Sequence, residues 1–133
     1  MVLVDTNVLL DIATRDKVWF AWSTEQLAPL IETRKAAINP IIYTELAPLY
    51  KDARDLDLNL VPPSDFRRLP LPYSCAFAAA RAFQAYRMDG GTLISPLPDF
   101  FIGAHAESEG LTLLTRDATR YRTYFPSVNL ICP

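Results

Sequence analysis

The sequence predicts an α/β protein built on a central, mainly parallel sheet. Three features predict it. Short uninterrupted apolar runs such as Val2-Leu3-Val4 suit strands buried on both faces. Helical segments separate those runs. Acids, Asp5 and Asp117, directly follow the first strand and "LTLLT". Sheets of this class carry their sites beyond the carboxyl ends of the strands, where the strand order reverses.

In chain order, Val2 to Val4 is the first expected strand. Asp5-Thr6-Asn7 then supplies helix-start chemistry, and Val8 to Ala13 continues as a helix. Val18 to about Thr33 reads as a second helix, with Trp19, Trp22, Leu27, Leu30 and Ile31 as its core side. Ala36 to Ile38 is a candidate strand. Pro40 opens a third helix running to about Leu46, and Pro48, which cannot donate to Thr44, ends or kinks it. Asp52 to Asp57 is expected as a turn or short helix. "LVPPSDFRRLPLP" holds a proline-rich break and an edge strand around Arg68 to Leu71. Ser74 to about Met88 is alanine-rich and helical, and Gly90-Gly91 terminates it. Pro96 and Pro98 flank a loop, with Pro98 placed to start a helix that ends at Gly110. Leu111 to Leu114 is a strand, Ala118 to Tyr124 a short helix or turn, and Val128 to Ile131 a last strand.

A chain of 133 residues suits one domain spanning 1–133. Half its residues are hydrophobic, so it can bury a real core. The net charge of −2 carries no bulk signature of a duplex-coating protein, although a local basic strip beside an acidic pocket fits it. Cys75 and Cys132 lack metal-ligand spacing and are expected to be reduced thiols in a cytoplasmic protein. The apolar start is interrupted by Asp5 and Asp11 with no basic residues before it, so neither a signal peptide nor a membrane span is expected.

Four carboxylates carry the chemical reading. Asp5 and Asp117 sit at carboxyl ends of the sheet. Glu45 shares a helical face with Ile41 and Leu49, placing an acid within an apolar stripe. Asp99 lies in the first turn of its helix, and Ile102, Gly103 and Ala106 share its face, small enough for close approach to a strand. Each acid alone has a plain structural reading: Asp5 as a cap, Asp99 as a first-turn acid, Asp117 as a turn residue, Glu45 snorkelling from the edge of its stripe. Crowded together they would repel and several would stay protonated. A hard divalent cation relieves that repulsion, and an all-oxygen set favours magnesium or manganese over zinc.

"VLVDTNVLLDI", the Glu45 helix, "PDFFIGAHAESEGLTLLTRD" and the terminal "YFPSVNLICP" together resemble PIN-domain ribonucleases, above all the VapC-like toxins of toxin–antitoxin pairs. The resemblance spans nearly the whole chain, and the order and spacing of its motifs are more specific than any one of them. It implies a three-layer α/β/α sandwich. It makes Asp5, Glu45, Asp99 and Asp117 the catalytic, metal-binding cluster for Mg2+ or Mn2+, with Asn7 supporting the first aspartate and Thr115 preceding the last. It further implies cleavage of single-stranded RNA such as parts of tRNA or rRNA, inhibition by a small antitoxin, and a homodimer. The stretch Lys51 to Ser74 matches no landmark of the family. An ion in the cluster would lower the pKa of a water and stabilise charge on the phosphate. In-line attack would leave a 5′-phosphate and a 3′-hydroxyl.

Among the basic residues, Arg116 is the candidate for an RNA phosphate because it adjoins Asp117, whereas Arg81 and Arg87 read as solvated surface and Arg120 as a further possible contact. His105, six residues after Asp99, reads as a packed histidine and not a general base. The Trp19–Trp22 segment reads as helix core; exposed, it would suit a dimer partner or an antitoxin helix. A phosphatase of the haloacid dehalogenase type would need a second aspartate where Asn7 stands, and no glycine-rich nucleotide loop occurs. The non-enzyme alternative is a PIN-like module that binds RNA or a protein without cleaving.

Overall fold

The computed structural model describes residues 1–93 and 97–133. Five strands, β1 (Val2–Val4), β2 (Ala36–Ile38), β3 (Arg67–Arg68), β4 (Thr112–Leu114) and β5 (Leu130–Ile131), form one sheet in the order β3-β2-β1-β4-β5. Every pairing is parallel, with Leu3 opposite Ala37 on one side and Leu113 on the other. Among the described residues seven α-helices flank it: α1 (Thr6–Ala13), α2 (Phe20–Glu32), α3 (Pro40–Leu46), α4 (Ala53–Asn59), α5 (Tyr73–Met88), α6 (Pro98–Ser108) and α7 (Thr119–Tyr124). The chain winds outward from β1 to β3, then returns to β4 on the other side of β1. The strand order therefore reverses between β1 and β4, the place where such sheets bind ligands.

The central strands are apolar apart from Thr112 at the start of β4 because both faces are covered; Leu3, Val4, Ala37, Leu113 and Leu114 are buried. The β3 edge instead shows the exposed, charged Arg67 and Arg68, which discourage further strand pairing. Helix α6 runs through the interior and buries Phe100 and the stretch Ile102 to Ala106, including His105. His105 Nδ1 lies 3.0 Å from the Asn39 amide, and Asn39 Oδ1 accepts from the Ile42 N–H at 2.9 Å, so one buried asparagine caps α3 and ties it to α6. Burial holds the His105 pKa below its usual value, as a packed neutral imidazole requires. Both cysteines are free. No helix among the described residues is long and apolar enough to cross a membrane.

Two expectations need correction. Trp19 precedes α2 and stays half-buried outside the main core; its ring carries the Arg116 guanidinium, whose central carbon lies 5.7 Å from the ring centroid. The buried stripe of α3 runs through Ile42 and Leu46, not through Glu45; Pro48 turns the chain into a 3₁₀ segment at Ala47–Leu49 and leaves Leu49 exposed. The small face of α6 also admits the Phe125 ring at Gly103. The expected Pro96 end of the loop before α6 lies outside the described residues. The unplaced stretch after Lys51 holds α4, a turn at 63–65 and β3.

Candidate active site

Asp5 occupies the N-cap of α1 with extended backbone, yet its side chain makes no capping bond. Its N–H donates to the Leu114 carbonyl at 2.9 Å, which locks it between β1 and β4. The carboxylate is 3% exposed and turns toward the C-terminal half of the chain. Oδ2 accepts from Thr115 Oγ1 at 2.8 Å, Tyr121 Oη at 3.0 Å and Asn7 Nδ2 at 3.2 Å. The simple capping role is thereby excluded. Asn7 also reaches Thr115 with the same amide and accepts from the Arg116 N–H at 3.1 Å, so it braces the loop after β4.

Asp99 enters from α6, directly after Pro98 at the helix start, where the dipole favours an acid. Its Oδ1 lies 3.5 Å from the Tyr121 hydroxyl and its Oδ2 lies 3.2 Å from Arg120 Nη1. A single hydroxyl thus spans Asp5 and Asp99. Glu45 projects from α3 and accepts from Thr6 Oγ1 at 2.5 Å. Asp117 is exposed and follows β4; its Oδ1 accepts from the Thr119 N–H at 3.2 Å, at the start of α7. Two acids are therefore bridged directly, while Glu45 and Asp117 flank them.

The electrostatics record the crowding. Burial pushes the Asp5 carboxyl up to about 6 against the opposing hydrogen bond from Thr115, and the Asp99 charge adds to the rise. Burial raises Asp99 as well, with Arg120 pulling it down and Asp117 pushing it up. Burial raises Glu45, the Thr6 hydrogen bond opposes, and Asp99 adds repulsion. Tyr121 is raised well above its ordinary value by burial and by the acids around it, so it remains a hydroxyl donor.

Among the described residues, no three His, Cys, Asp or Glu side chains form a closed set that could hold a metal ion. Magnesium does not require one: it keeps several waters and binds through one or two carboxylates plus substrate phosphates. The donor set is entirely oxygen, and the acids carry negative charge that burial penalises. These residues fit a hard divalent cation.

Residues 2–126 match the model of the PIN domain family. The chain belongs to the PIN-domain family. No curated protein matches it in sequence. Its fold resembles a chain of VapBC2 from Rickettsia felis bound to a promoter DNA fragment, with a TM-score of 0.67 and 21% identity over 99% of this chain and 98% of that one. A chain of FitAcB from Neisseria gonorrhoeae gives a TM-score of 0.70 and 22% identity, covering 98% and 96%. A chain of DNA-bound VapBC from Salmonella typhimurium gives 0.69 and 19%, also covering 98% and 96%. At these identities the likeness is one of fold.

Three features of this PIN domain were not read from its sequence. Tyr121 is a buried ring whose hydroxyl needs a partner, a signal available from its place in a short amphipathic helix. Thr6, beside Asp5, holds Glu45. Arg116, the expected phosphate ligand, gives its Nε to buried Asp11 at 2.9 Å, and Ser23 gives its hydroxyl to the same oxygen at 2.8 Å. Arg81 and Arg87 are exposed, as expected.

Proposed function

We propose that this PIN domain is a metal-dependent endoribonuclease and the toxin of a toxin–antitoxin pair. The observation that carries the enzymatic reading is the pair Asp5 and Asp99 on one buried hydroxyl, at the point where strand order reverses. In this reading Asp5 and Asp99 are the central ligands of Mg2+ or Mn2+, and Glu45 and Asp117 complete the shell or orient the attacking water. When bound, the ion would polarise the scissile phosphate and make a water acidic enough to attack. The chain's own residues do the positioning. Thr115 and Asn7 fix the orientation of Asp5, Tyr121 sets its distance from Asp99, and Thr6 holds Glu45 toward the same space. Hydrolysis in line breaks the P–O3′ bond and leaves a 5′-phosphate and a 3′-hydroxyl. The similar VapBC and toxin–antitoxin folds support a small antitoxin as partner. The substrate in this reading is RNA such as tRNA or rRNA. The exposed Tyr73, Phe77 and Met88 on α5 offer apolar surface for a homodimer.

The test is cleavage of total cellular RNA by purified protein, with Mg2+ or Mn2+ against EDTA. The wild type yields discrete fragments with 5′-phosphate ends only with metal. Asp5→Asn keeps the fold and cuts at least about a hundredfold more slowly, the scale of removing a key electrostatic group. Equal cleavage by the variant, or cleavage in EDTA, removes the acid pair from the mechanism. Metal binding without cleavage of any RNA leaves the binding-module reading.

A further inference from the structure

We propose that Arg120 is a built-in counter-cation of the acid centre, a positioning residue that holds Asp99 where a divalent ion would and competes with that ion. The inference rests on the metal-site reading above. Among the described residues, Arg120 is the one basic side chain ion-paired with any of the four acids. Its Nη1 lies 3.2 Å from Asp99 Oδ2.

Its place is not that of a loose surface arginine. The central guanidinium carbon lies 5.6 Å from the ring centroids of both Tyr86 on α5 and Phe100 on α6. Those two rings pack against each other edge to face, with centroids 5.6 Å apart. Two aromatic faces and one carboxylate therefore fix the guanidinium, a planar group suited to both contacts. The neighbouring Tyr121 faces Asp99 Oδ1 at 3.5 Å. Both Asp99 oxygens thus have partners on α7, one neutral and one charged. An ion approaching Asp99 must weaken the charged one, because two cations on one carboxylate repel. Arg120 offsets the charge of Asp99 before the ion arrives and reduces the affinity with which it binds.

The test is titration of metal-free protein with Mn2+ alone by calorimetry, without RNA, for wild type, Arg120→Gln and Arg120→Lys. The glutamine variant is expected to bind Mn2+ about two- to fivefold more tightly, the scale of losing one partly exposed ion pair. The lysine variant, which keeps the charge, stays near wild type. Thermal melting supplies a second readout. Arg120→Gln melts below wild type in EDTA, and saturating Mn2+ narrows the gap. A purely structural arginine would cost the same in both conditions and leave Mn2+ affinity unchanged, and that result overturns the proposal. Mn2+ binding by the wild type with no gain in the glutamine variant overturns it alone. Failure of wild type and both variants to bind Mn2+ overturns it together with the metal-site reading.

Discussion

Asp5 shows how an acid can be well bonded and still costly. Three side chains donate to one of its oxygens, yet burial and the neighbouring Asp99 charge hold its pKa up at about 6. The consequence for stability has a definite sign. Below about pH 4 the carboxyl is protonated in both the folded and unfolded chain. As pH rises toward 6 the unfolded chain ionises while the folded protein holds its proton, so the metal-free protein loses stability. The loss is complete above that window and amounts to roughly 3 kcal/mol. Asparagine keeps the shape without the charge. In urea unfolding with EDTA, the stability of Asp5→Asn relative to wild type should therefore grow between about pH 4 and 6 and level off above. A difference independent of pH would show that Asp5 does not carry this strain. The comparison is made against the variant because His105, with its lowered pKa, works in the opposite sense: its contribution is lost as pH falls through the ordinary histidine range. The residue that would bind a cation is thus one that folding leaves under tension without it.

At the scale of elements, α6 delivers Asp99 and depends on a close approach by α7's end. A Cβ built on Gly103 would sit 2.3 Å from the Phe125 ring, closer than atoms pack, and that ring is itself buried. Gly103→Ala should destabilise the protein by about 1–3 kcal/mol, because either the ring or the helix must move. If the helix moves, Asp99 leaves the Tyr121 hydroxyl and cleavage falls with stability; denaturation melts and RNA cleavage on the same sample separate the two. Wild-type melting by this variant would show that the helix has room the packing denies. The same helix shows what was legible beforehand. Pro98, Asp99 and the small face at Gly103 and Ala106 were readable because start signals and three- and four-residue spacing are local properties. The partner of that face was not, because Phe125 arrives from beyond another strand. The stripe that singles out Glu45 in the sequence runs on to Leu49, but the helix gives way to a 3₁₀ turn at Ala47, and the spacing rule stops with it. Asp5 and Asp117 were legible because each directly follows a strand. Tyr121 and Thr6 were not, since nothing in their own segments says which acid they will meet.

Across the whole molecule, the site exists because the two ends of the chain lie side by side. Strand β1 pairs with β4, and every side-chain hydrogen bond to the Asp5 carboxylate, apart from that of Asn7, comes from a residue 110 or more positions away. A second tie works beside it. Asp11 on α1 is 2% exposed and receives both Ser23 from α2 and Arg116 from the loop after β4, which spans 105 residues of sequence. Arg116 also lies over Trp19, so it clamps the α1–α2 hairpin to the strand end that carries Thr115 and Asp117. An arginine so engaged has an internal task whether or not it also meets a phosphate. Removing it should strand a buried acid: Arg116→Ala is expected to cost about 2–4 kcal/mol, since the unpaired charge is worse than the lost bond. Removing both partners relieves that charge, so Asp11→Ala combined with Arg116→Ala should be more stable than Arg116→Ala alone. Urea unfolding of the two single variants and the double variant measures the coupling. RNA binding then decides the arginine's second possible task. If Arg116 serves only the clamp, the double variant binds RNA with the salt dependence of the wild type. If it also contacts a phosphate, both variants lacking it lose affinity and show a salt slope shallower by about one contact.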